Sequence, residues 1–295
     1  QFNKFLVTGE NDFNINTLVE SDISNKVKYV ITLDSDTNLV LDSASQLIGS
    51  MAHILNKPQI NKRNIVEKGH ALIQPRVGVD LESSRQSLFS KIFSGMGGTD
   101  LYANAISDVY QDNFGEGIFT GKGIYDVEVF HKVLSNEIPE NTVLSHDLLE
   151  GSYLRAGLDT SIFLLDGCPG KYNSYMQRLH RWIRGDWQLL GWLKSTIVTK
   201  NGEKKQNPLN TLSKFKILDN LRRSLVPVLA LILIAIGLAF KSKVSFAIGI
   251  ISVIFPSILD LGNYIVFKKS TPNSLFVAHK SITKIIGDLN ASVLR

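Results

Sequence analysis

The sequence predicts an α/β domain followed by membrane-associated helices, on three observations. The apolar, β-branched run Tyr29–Leu33 reads as a buried strand, Ala71–Val79 and Ser161–Leu165 are further strand candidates, and helical patterns lie between them. The first run ends abruptly in two carboxylates, Asp34 and Asp36, where open α/β sheets bind ligands. Further on, Ser224–Phe240 is uninterrupted apolar sequence, at the short end of what spans a bilayer.

The composition agrees. The chain has 295 residues, 44% hydrophobic and 20% charged, which excludes a disordered chain and a coiled coil. The formal net charge is +5 without a long Lys/Arg block. That is no argument for nucleic acid, and suits an anionic nucleotide or a membrane surface equally. The single cysteine, Cys168, allows no internal disulfide, fits a reducing compartment, and reads as a structural thiol ahead of Pro169 and Gly170. A chain that opens Gln1-Phe2-Asn3-Lys4 and closes within a helical pattern at Arg295 is expected to be a piece of something longer.

In chain order, the Asp34-Ser35-Asp36 turn comes first. Two adjacent carboxylates repel unless a cation lies between them. Mg²⁺ or Mn²⁺ holding a nucleotide diphosphate fits, and an Asp-rich turn without a ligand is the plainer alternative. Ser43–Leu55 has Ala44, Leu47, Ile48, Met51 and Leu55 on one helical face. Gly115–Gly123 packs four glycines into a loop that lets backbone approach a ligand. Lys122 precedes Gly123 and not Ser or Thr, so this is not a phosphate loop.

In Leu144-Ser145-His146-Asp147, Ser145 reads as a helix N-cap and Asp147 as a first-turn acid favoured by the helix dipole. The functional alternative makes Asp147 a general base at a helix start; His146, its neighbour, projects elsewhere. Gln177–Gln188 crowds three arginines, a histidine and two tryptophans. Arg178, Arg181 and Trp182 share a helix face, arginine suiting phosphate and tryptophan offering a platform for a sugar or base. An exposed basic helix near a membrane is the alternative.

Lys200–Asn210 is a polar linker. In Thr211–Arg223, Leu212, Phe215, Leu218 and Leu221 fall at helical spacing among Lys214, Lys216, Arg222 and Arg223, as in an interface helix. Lys241 and Lys243 follow the first apolar run, and Val244–Phe267 is long enough to return across the bilayer. It contains Pro256, Asp260, Gly262 and Asn263, and an unshielded mid-membrane Asp costs at least about 2.5–3.5 kcal/mol. Ala278–Arg295 reads as a further amphipathic segment. The divisions are therefore 1–205, a globular domain; 206–223, an interface helix; 224–267, a transmembrane hairpin; and 268–295, an amphipathic tail.

The order of D-x-D, glycine-rich loop, acidic helix start, R-W helix, interface helix and membrane hairpin resembles membrane-bound GT-A type glycosyltransferases, such as cellulose and hyaluronan synthases. Ser145-His146-Asp147 stands at that superfamily's T-E-D motif and keeps only the Asp; Arg181-Trp182 match its Q-x-x-R-W, with Arg178 at the Gln position. More specific phrases resemble the glycosyltransferase region of cyclic β-1,2-glucan synthases over about residues 5–230. They include Thr32–Thr37, Gln74–Val79, Ser107–Asp112, Phe114–Gly117, Gly121–Asp126, Leu144–Gly151 and His180–Gln188.

The resemblance implies a GT-A-like mixed sheet flanked by helices, with its first nucleotide-binding strand upstream of Gln1. It implies a bacterial inner-membrane, multi-pass protein facing the cytoplasm, part of a larger chain that extends a β-glucan from UDP-glucose with inversion. In that scheme Asp34 and Asp36 hold a divalent cation, Asp147 is the base and Arg181 steadies the diphosphate. Trp182, with Gly121, Lys122 and Gly123, meets the substrate and the glucan acceptor. Another processive β-glycosyltransferase, or a non-catalytic membrane scaffold on the same fold, are the alternatives.

Overall fold

A computed structural model describes residues 2–10, 26–93 and 108–270. In chain order the elements are α1 (Phe2–Thr8), β1 (Tyr29–Thr32), β2 (Thr37–Leu39), α2 (Ser43–Ala52), β3 (Gln59–Ile60), β4 (Val66–Lys68) and β5 (Leu72–Val79). Then come α3 (Leu81–Arg85), α4 (Leu88–Phe93), α5 (Val109–Phe114), β6 (Gly123–Asp126), α6 (Val127–Leu134), α7 (Asp147–Leu154) and β7 (Ala156–Asp166). The last are α8 (Tyr172–Gln188), β8 (Thr196–Val198), β9 (Lys204–Gln206), α9 (Thr211–Ala239) and α10 (Lys243–Ser270). The chain forms two compact units: Gln1–Gly78 with Asp100–Gly167 and Arg184–Ile217, and Val79–Thr99 with Cys168–Ile183 and Leu218–Arg295.

In the first unit, the main sheet among the described residues has five strands in the order β1-β6-β5-β7-β2. β1 runs antiparallel to β6 with Thr32 opposite Gly123, and β2 antiparallel to β7 with Thr37 opposite Asp166. A flat sheet would hold its edge strands roughly 19 Å apart, at about 4.8 Å per gap. Yet the short link Leu33–Asp36 joins the edges β1 and β2, and within it Thr37 N donates to Asp34 O at 3.0 Å. The sheet therefore curls until its edges meet at the aspartates.

β5 is buried along most of its length, as a central strand should be. Its pairing with β6, Leu72 opposite Tyr125 and Ile73 opposite Ile124, stops before Pro75, which has no N–H to give. Leu47 and Met51 of α2 pack on Ile73, Ile124 and Ile162, with Tyr29 and Ile31 alongside.

The α/β class agrees with the sequence, β1 and β5 fall within one residue of their expected bounds, and two elements differ by more. The strand read as Ser161–Leu165 is β7, extended at both ends to Ala156 and Asp166. The helix read to Leu55 ends at Ala52, because His53 is extended; Ile48 and Leu55 are exposed, so only Leu47 and Met51 of the expected face are core.

In the second unit, Phe89 of α4 meets Tyr172 and Tyr175 of α8 edge-on, at 6.2 and 5.9 Å. Cys168 N donates to Ser83 Oγ at 3.0 Å. Burial pushes the Cys168 thiol up, against the nearby Arg178 charge, in keeping with a structural thiol.

α9 is one unbroken helix, running through Pro227, and is by length and composition able to cross a membrane. It joins the expected interface helix and first span into a single element. Only 17% of its most apolar window is buried, and Leu225, Val228, Leu229, Leu231 and Ile232 are exposed, which speaks against a core helix. In α10 the described apolar part, Lys243–Phe255, is shorter. The backbones of α9 and α10 approach closely: a Cβ on Gly237 would lie 2.6 Å from Phe246 N, and one on Gly249 2.9 Å from Ala230 O. The amphipathic tail, Ala278–Arg295, lies outside the described residues.

The basic face expected for residues 211–223 needs correction. Lys216 is 3% exposed, while Phe215 and Leu218 face outward. Lys216 Nζ lies 3.3 Å from Glu116 Oε1 and 2.9 Å from Gly117 O, and 5.2 Å over the Tyr110 ring. It serves the inside of the first unit, where a buried acid and an aromatic face outbid solvent for the ammonium.

Candidate active site

The site grows from the curl of the sheet. Asp34 and Asp36 stand in the turn where β1 and β2 meet. β2 pairs with the end of β7, which brings Asp166 beside them; Gly167 N donates to Asp36 O at 2.9 Å and Thr37 Oγ1 to Asp166 Oδ1 at 2.5 Å. Asp34, Asp36 and Asp166 each offer a carboxylate oxygen, all within 4.8 Å of one another. Three hard oxygen donors at that spacing suit Mg²⁺ or Mn²⁺.

Sequence reasoning missed Asp166. A signal was there: Phe163-Leu164-Leu165-Asp166 repeats the pattern of Ile31–Asp34, an apolar strand ending in a carboxylate. Stopping the strand at Leu165 left the acid outside it.

The glycine-rich loop reaches the same place. Thr120 is held by the fully buried Gln74, whose Oε1 accepts from Thr120 N at 3.0 Å and Thr120 Oγ1 at 3.1 Å. Gly121, at φ +88, lies so close to Asp147 that a Cβ there would sit 3.2 Å from Asp147 Oδ2. Gly123 begins β6 at φ +155, where a Cβ would stand 2.2 Å from Ile73 O. Glycine is thus required on both sides of Lys122. Lys122 Nζ reaches Asp34 Oδ2 at 2.7 Å and Asp166 Oδ2 at 3.2 Å. Burial works against its charge, but the bonds to Asp34 and Asp166 outweigh it and hold the ammonium above its ordinary value. The side chain read as meeting substrate points into the acidic cluster.

Asp147 opens α7. His146 is the N-cap residue and makes no side-chain cap; Ser145, expected to cap, donates its hydroxyl to Asp147 Oδ2 at 3.1 Å. His146 Nδ1 pairs with Glu150 Oε1 at 2.7 Å, one turn on, but the ring does not project elsewhere as expected: His146, Asp147 and Glu150 each bring a polar atom within 4.8 Å of the others. That bond to Glu150 raises His146 against the cost of burial. Burial, then the Glu150 charge, pushes the Asp147 carboxyl above its ordinary range, with the Asp34 charge adding to it; the Ser145 hydrogen bond and His146 oppose. A half-buried carboxylate with a raised proton affinity has the chemistry asked of a general base.

The loop 120–123 thus brings together Asp34, Asp36, Asp147, Gly121, Lys122 and Gly123. Arg181 and Trp182 are placed on α8 in the second unit, where both are exposed.

Known proteins bear on this geometry. Over 204 residues, 68% of the chain, the sequence is 49% identical to the cyclic β-(1,2)-glucan synthase NdvB of Rhizobium meliloti (strain 1021). The chain is a homologue of one segment of a cyclic β-1,2-glucan synthase. It spans 7% of the length of that protein. No family model matches the chain. The glucan synthase relationship agrees with the resemblance read from the longer phrases such as Thr32–Thr37, Leu144–Gly151 and His180–Gln188. A larger parent with further domains is consistent with so small a share of the synthase.

Proposed function

We propose that this chain is the glycosyltransferase part of a membrane-bound cyclic β-1,2-glucan synthase, transferring glucose from UDP-glucose to a growing β-glucan with inversion. The observation that carries this reading is the loop 120–123, which sets the candidate base Asp147 on one side and the cluster Asp34, Asp36 and Asp166 on the other. An inverting transfer needs both: a carboxylate for the acceptor proton, and neutralisation of the departing diphosphate.

Asp34, Asp36 and Asp166 would hold the divalent cation, whose chemistry is to offset charge on the diphosphate leaving group. Asp147 takes the proton of the acceptor hydroxyl, with Ser145 orienting its carboxylate. The roles of Arg181 toward the diphosphate and Trp182 beneath the acceptor glucose rest on the resemblance and on the exposure of both side chains. Substitution of Asp36 by Asn in the full-length protein should abolish Mg²⁺- or Mn²⁺-dependent UDP binding without unfolding. Equal UDP affinity with and without the ions in the wild type would overturn the metal assignment.

The membrane part of the proposal takes α9 as a span and α10 as its return, in a bacterial inner membrane with the catalytic part facing the cytoplasm, where UDP-glucose is available. α9 leads from a buried lysine into an exposed apolar helix, which supports this. The chain should sediment with membranes and resist alkaline carbonate extraction. Recovery in the soluble fraction would remove the spanning assignment.

A further inference from the structure

Lys122 occupies the ground on which a divalent cation is expected. Its Nζ is 2.7 Å from Asp34 Oδ2 and 3.2 Å from Asp166 Oδ2, and its side chain is only 10% exposed. This is no surface lysine drifting against an acid. Its backbone is fixed on one side by Thr120, held to Gln74, and on the other by Gly123 pressed against Ile73 O. Three carboxylates this close repel one another strongly, and the ammonium relieves that repulsion with three N–H donors. Three acids and one lysine still leave the group two negative charges, so it attracts a further cation.

We infer that Lys122 is the resident cation of the acidic cluster in the nucleotide-free protein, and that a divalent ion must compete with it for Asp34 and Asp166. This rests on reading Asp34, Asp36 and Asp166 as the divalent-cation site. Lys122 then sets the order of binding. It weakens the site for the bare ion, so that the ion is held well only with a nucleoside diphosphate, whose phosphate oxygens give the displaced ammonium a new partner. Lysine suits such a shuttle because its charge is compact and its stem flexible. Lys122 is a specificity-determining residue in this role, since it acts on when the ion binds.

The test is Mn²⁺ titration of the full-length protein in detergent, read as loss of the free-ion paramagnetic resonance signal, with and without UDP. Lys122→Met and Lys122→Gln remove the charge, the Gln variant keeping a hydrogen-bonding end; Lys122→Arg keeps the charge. Without UDP, Met and Gln variants should bind Mn²⁺ at least about tenfold more tightly than wild type, and Arg should not. With UDP the advantage should shrink or reverse. Equal UDP-free affinities in wild type and both neutral variants would overturn the inference and leave the metal reading standing. No Mn²⁺ binding by any form, with or without UDP, would overturn both. Binding by the neutral variants alone, even with UDP present, would overturn the inferred order of binding, Lys122 then being the permanent cation.

Discussion

Asp147→Asn is expected to lower glucosyl transfer by about 10²–10⁴-fold while leaving UDP-glucose binding intact, the usual scale of a lost general base. Asn keeps the size of Asp147 and can still accept from Ser145. The negative charge and the ability to take a proton disappear together. Turnover and donor affinity measured on the same preparation check this. His146→Ala should cost clearly less, since His146 is bonded to Glu150. Near-normal turnover in Asp147→Asn together with loss in Glu150→Gln would move the base to Glu150.

The pH behaviour has a definite sign. Because Asp147 is raised, mainly by burial, activity should fall as the pH drops through that raised value, above the ordinary carboxylate range. Stability moves the other way. A group whose folded pKa lies above its unfolded value gives its stabilisation below the unfolded pKa and loses it as the pH rises through the folded one. Above that folded pKa the ionised Asp147 therefore weighs against folding. The inactive Asn variant should melt higher than wild type at neutral pH, with the difference narrowing in acid.

Lys216→Met is expected to destabilise the first unit by about 3–5 kcal/mol, the cost of leaving one member of a buried ion pair alone. The remaining acid, Glu116, has a side chain only 9% exposed, and the Gly117 carbonyl loses its donor as well. The loss should be local: faster hydrogen exchange across residues 115–123, then earlier thermal inactivation. The double variant Lys216→Met with Glu116→Gln should recover much of the loss, since no uncompensated charge is left. Unchanged exchange in the single variant would mean that the pair carries no weight.

These two positions show what a sequence discloses. Asp34, Asp36 and Asp147 were legible because each breaks a local pattern: two acids after an apolar strand, one at a helix start. Their assembly was not legible, because it depends on a sheet curled edge to edge and on a loop fixed by Gln74 from β5. Asp166 escaped for the same reason, the aspartates it joins, Asp34 and Asp36, lying more than a hundred residues earlier. Lys216 was misread because helical spacing gives a residue's face but not what lies beside that face. The strand β5 was read to within one residue, Ala71–Val79 against Leu72–Val79, although Gln74, Pro75 and Arg76 interrupt its apolar run.

The buried Lys216 also bears on how a soluble catalytic piece should be made. The polar stretch Lys200–Asn210 invites a stop codon, as a linker ahead of an oily helix. A protein ended there would lack Lys216 and Ile217, which are 3% and 1% exposed, and would leave Glu116 of the glycine-rich loop without its counter-charge. Expression trials should instead carry the first turns of α9 through Ile217, where the first unit ends, and replace the outward Phe215 with a polar residue.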